Sequence, residues 1–129
     1  MQNCWNDEMT VRVYECDESE INSLKKTLDY DPYTDKSIDI NEIKKDKFSD
    51  VIFKRQEYEI KNGSLLSLES SKYFLYVKAN DDFLNKAEEL FKERFKTVKR
   101  ASNDIEAKVI TFINDEESKA NAGFGSIFG

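Results

Sequence analysis

The chain has 129 residues, 39% hydrophobic and 36% charged, with 26 acidic against 20 basic side chains and a net charge of −6. That length fits one domain that buries a core without disulfides or a structural metal, and the hydrophobic and aromatic content excludes a low-complexity disordered chain. Histidine is absent, which removes Ser-His and Cys-His nucleophile activation, imidazole acid–base chemistry and the His-bearing metal sites.

In chain order, Met9, Val11 and Val13 alternate with Thr10, Arg12 and Tyr14, the period of a half-buried strand over residues 9 to 15. Asp17 and Glu20 have the spacing of a capping box, and Ile21, Leu24 and Leu28 form the stripe of a helix over about 18 to 29. Pro32 ends it and opens an acidic loop. Asp39 with Glu42 predicts a second cap, and a short helix from Ile40 to Asp46 resting Ile40 and Ile43 on the core.

Residues 51 to 60 have strand composition but change face midway, which predicts a bulge or two strand pieces. Asn62-Gly63 predicts a two-residue type I′ hairpin in which Ile60 faces Leu65. The next strand, Lys72 to Lys78, is apolar on both faces: Tyr73, Leu75 and Val77 point one way, Phe74 and Tyr76 the other. Phe83, Ala87, Leu90, Phe91, Phe95 and Val98 then recur at helical spacing behind an Asn80 or Asp81 cap. Residues 97 to 101 read as a short edge strand. A final helix is expected over about 103 to 121, with a strand over 106 to 113 as the alternative; Gly123 is expected to stop that helix.

This order predicts an α+β two-layer sandwich, an antiparallel sheet with helices packed on one face, compatible with a ferredoxin-like arrangement plus an extra C-terminal helix. Residues 1–121 form the expected domain and 122–129 an apolar, glycine-containing tail. No apolar run approaches the ~20 residues of a membrane span, and the first residues lack a secretory signal, so a cytoplasmic protein without a membrane partner is expected. Cys4 and Cys16 match no metal or redox pair and read as reduced thiols. No cofactor motif is present.

Three stretches carry candidate chemistry. Asp31, Asp35, Asp39 and Glu42 occupy positions one, five, nine and twelve of a calcium loop, and in this the segment resembles part of an EF-hand. Tyr33 and Lys36 stand where that family has an oxygen ligand and a glycine, and the same residues also read as a solvated loop with caps.

Lys72, Phe74, Tyr76 and Val77 resemble the central strand of RNA-recognition motif domains, a resemblance that implies bases stacking on Phe74 and Tyr76. Lys78, Lys96, Lys99 and Arg100 would then serve phosphates, together with Lys72. Tyr73, Leu75, Ala79 and Arg12 depart from that pattern. The other readings of the two rings are a covering layer or a self-association face.

In the tail, Phe124, Ile127 and Phe128 suit docking in a partner's groove or folding back on the chain's own core. The leading expectation is a non-enzymatic interaction or regulatory module using Phe74 and Tyr76, the tail, or both. A single-stranded nucleic-acid-binding domain and a carboxylate calcium or magnesium site are the alternatives.

Overall fold

Val13 and Tyr14 are neighbours in sequence, yet they are 0% and 1% exposed and belong to different core clusters. Successive side chains of a strand point to opposite faces, so this strand must be covered on both sides. The computed structural model describes residues 9–34 and 37–128, with side chains described as far as residue 120. The strands are β1 (Thr10–Asp17), β2 (Glu57–Asn62), β3 (Lys72–Ala79) and β4 (Lys99–Arg100), and the helices are α1 (Ile21–Asp29), α2 (Ile40–Lys44), α3 (Asp81–Arg94) and α4 (Asn103–Phe128). The sheet is antiparallel in the order β2-β3-β1-β4.

Helices α1 and α3 cover one face and complete the two-layer α+β body. Leu24, Leu28, Leu84, Ala87, Leu90 and Phe91 meet Tyr14, Cys16, Leu75 and Val77 there. Phe91 is central, edge-on to Tyr14 at 5.1 Å and stacked on Phe53 at 5.5 Å between ring centroids. Asn80 caps α3 through the Phe83 amide at 2.8 Å, which starts the helix where the periodicity predicted. Cys16 lies in the same core, where burial first and Glu20 next push its thiol up to about 11.

The extra C-terminal helix lies over part of the second face. Val109 and Ile113 of α4 are fully buried against Val13, Leu66, Phe74 and Tyr76. Burial of each aliphatic side chain contributes about 1.5–3 kcal/mol, and Ile105, Ile110 and Phe112 of the same helix pack partly against this cluster.

Several local expectations are corrected. Asn62-Gly63 is not a two-residue turn: Ile60 pairs with Leu75, Asn62 pairs with Tyr73, and Gly63–Leu66 is a 3₁₀ turn that leaves Leu65 exposed. Gly63 has no positive φ, but a Cβ there would sit 2.0 Å from the Glu69 carbonyl oxygen. Glycine is therefore required by a close backbone approach rather than by turn conformation.

Of residues 51 to 60 only those from Glu57 onward are strand, because Phe53–Arg55 forms a 3₁₀ turn that sends Phe53 into the core. Ile43 is buried as expected, whereas Ile40 is 55% exposed at the start of α2. Glu20 does not cap its own helix. It accepts hydrogen bonds from the amides of Lys96 and Thr97 and from the Thr97 hydroxyl, tying the start of α1 to the approach of β4. Gly123 does not end α4, which runs on to Phe128.

Candidate functional site

The aromatic face is the first place to look for a site. Phe74 and Tyr76 are 2% and 3% exposed, and the layer over them is the chain's own α4. Its hold has two polar anchors besides Val109 and Ile113. Glu106 accepts the Val13 amide at 2.9 Å and the Arg100 guanidinium through both oxygens, at 2.9 and 3.0 Å. Burial alone would raise the Glu106 carboxyl, but these donors outweigh it and hold the group below the ordinary carboxylate value. Farther along, Lys61 pairs with Glu116 at 2.8 Å and lies over the Phe112 ring.

Past Ile113 every side chain through Ala120 is exposed, and the contact that α4 keeps with the body there is polar, through Glu116 and Lys61. The side chains of Phe124, Ile127 and Phe128 lie outside the described residues.

The acidic loop is spread over separate structural tasks. Asp31 accepts the Tyr33 amide at 3.1 Å and faces Arg55 at 3.4 Å, Asp39 caps α2 through the Asn41 amide, and Glu42 pairs with Lys45 at 2.9 Å. Asp35 lies outside the described residues. Among the described residues no group of three or more His, Cys, Asp or Glu side chains is placed to hold a metal ion.

The basic residues assigned to phosphates divide between two places. Lys72 lies 3.6 Å from Glu15 and Lys78 is exposed on β3. Lys96, Lys99 and Arg100 come together with Lys92 around a cleft of about 370 Å³ between the end of α3 and β4. Its apolar wall is Tyr14, Phe91, Phe95 and Val98.

Among the described residues a single carboxylate, Glu88, lines the cleft, and it is engaged: the Tyr14 hydroxyl donates to it at 2.9 Å and Arg12 at 2.6 Å, with Arg100 at 3.9 Å. Burial, and after it Glu88, pushes the Tyr14 phenol far above its ordinary range, so it remains a neutral donor. Arg12 reaches α3 because the even-numbered residues of β1 point to the face covered by α1 and α3, where Asn85 and Asp81 also meet it.

Sequence reasoning missed Lys92, Phe95 and Glu88 as members of one site. The only signal was the run of cations from Lys92 to Arg100 spanning a helix end and an edge strand.

No protein-family model matches the chain, and no curated protein or solved structure matches it significantly. Among the described residues no helix is long and apolar enough to cross a membrane.

Proposed function

We propose that the protein is a non-enzymatic, cytoplasmic interaction module in which a ferredoxin-like body presents α4 to a protein partner or to a second copy of itself. One observation carries this reading: α4 continues to Phe128, although the side chains from residue 114 to 120 are all exposed and join neither core cluster. A helical segment gains most of its stability from tertiary packing of an apolar face. Phe124, Ile127 and Phe128 follow at i, i+3 and i+4 in the sequence, the spacing that a hydrophobic groove accepts from a docked helix.

The β2-β3-β1-β4 order with helices after β1 and β3 supports the ferredoxin-like description of the body. The non-enzymatic part is supported by the engagement of Glu20, Glu88 and Glu106 with backbone amides, hydroxyls and arginines. The nucleic-acid alternative has less behind it, since the rings it requires lie beneath Val109 and Ile113.

The test compares the full chain with one ending at Ala122, by light-scattering mass and by affinity capture with mass spectrometry. A partner or a higher oligomeric mass that the shortened chain loses supports the reading. Identical mass and identical captured proteins overturn it.

A further inference from the structure

We propose that the α3–β4 cleft is a binding site for a small aromatic anion of the nucleoside monophosphate class. The first ground is charge. Some cations elsewhere pair with carboxylates, as Arg94 does with Asp46, Arg55 with Asp31, Lys47 with Glu93 and Lys61 with Glu116. Others, such as Lys44, Lys54 and Lys86, stand exposed on separate parts of the surface. What sets the cleft apart is that several cations converge on it. Lys92 and Lys96 make no side-chain ion pair within 4 Å among the described residues, although Lys96 lies near enough to help hold the Glu20 carboxyl down, and Lys99 approaches Glu15 at 3.7 Å. All three line the same cleft.

Lys92, in the last turn of α3, answers the partial negative charge of the helix end. Lys96 and Lys99 lie beyond that turn, so the positive charge exceeds what the helix requires. Glu88 does not cancel it, being held by Arg12 and Tyr14, and Arg100 is fixed in its fork by Glu106.

The second ground is shape and polarity. A volume of about 370 Å³ falls in the range of small-molecule sites, roughly 300–1,000 Å³, which are apolar clefts with a few oriented polar groups. Phe95 is only partly buried at the wall, with Val98 beside it and Phe91 edge-on at 6.0 Å. A planar ring has a surface to pack on there while a phosphate meets the ammonium groups. A phosphate alone would leave the ring wall unused.

The test is an amide-shift titration of the full chain with adenosine monophosphate, with inorganic phosphate and adenosine as separate arms. Saturable shifts centred on residues 95 to 100 are expected, with the nucleotide binding more tightly than either fragment. The double variant Lys96→Gln with Lys99→Gln changes two exposed side chains and should weaken nucleotide binding ~10-fold or more, each charge-assisted contact being worth more than a neutral one. Lys44→Gln with Lys54→Gln, the same charge change elsewhere, should leave it unaltered.

The proposal is overturned by the absence of saturable shifts at 95 to 100, by phosphate binding as tightly as the nucleotide, or by equal effects of the two double variants.

Discussion

The Glu106 carboxylate accepts the backbone amide of Val13 at 2.9 Å, one residue before β1 begins to pair with β4. Because β4 is only Lys99–Arg100, the Val13 amide lies past the end of the ladder, although its carbonyl still receives the Ala101 amide at 2.9 Å. A side chain of α4 thus completes the edge of the sheet, and the same carboxylate aligns Arg100.

Removing that acceptor should cost about 1–3 kcal/mol, since Glu106→Ala leaves a part-buried amide without a partner. Glu106→Gln keeps an acceptor and loses the charge, so its destabilisation should be smaller. Urea unfolding of the three proteins checks the order; equal midpoints for wild type and Glu106→Ala would contradict it.

The apolar half of the contact should weigh more. Ile113→Ala is expected to lose about 2–5 kcal/mol and to increase binding of a hydrophobic dye as the cover over Phe74 and Tyr76 loosens. Thr111→Ala, at an exposed position of the same helix, should stay within about 0.5 kcal/mol of wild type. Parallel thermal melts distinguish them.

Acid should loosen the same joints. The carboxyls of Glu20 and Glu106 lie below their ordinary value of 4.5, since hydrogen bonds outweigh the burial that alone would raise them. For a depressed acid, the stabilisation is fully present above the unfolded value and is lost as pH falls through the folded one. Unfolding midpoints should hold between pH 7 and 5 and drop below about pH 4.5. Glu20→Gln with Glu106→Gln should flatten that drop, and an unchanged profile would remove these groups as its cause.

Gly63→Ala should destabilise by about 1–3 kcal/mol, because the added methyl meets a backbone carbonyl that cannot rotate away. Ser64→Ala, which loses only the hydroxyl's hydrogen bond to the Asn62 side chain and keeps the one from its backbone amide, serves as the comparison at the next position. Circular-dichroism melts read both.

What the sequence made legible follows the range of the interactions involved. Helix α3 was readable because Asn80, Phe83, Ala87, Leu90 and Phe91 are cap and stripe within one segment. The two apolar faces of Lys72 to Lys78 were readable too, and α4 supplies one of their covers. Glu20 was read as a local cap because its amide and hydroxyl donors lie at Lys96 and Thr97, far along the chain.

Asn62-Gly63 looked like a tight turn because its composition suits one; the contact that demands glycine is with Glu69 across the loop. The cleft was hidden for the same reason. Lys92 lies on a helix and Arg100 on an edge strand, and only the pairing of β4 with β1 brings them round Phe95.

The cover over Phe74 and Tyr76 also has an order in time. The strand carrying both rings is translated before α4, so a growing chain has an uncovered aromatic face until Val109 and Ile113 have left the ribosome. At ~5–20 residues per second that interval lasts seconds, long compared with the folding of a small domain. A nascent chain stalled within α4 would carry an apolar sheet face that the finished protein conceals, and chaperones would meet it there.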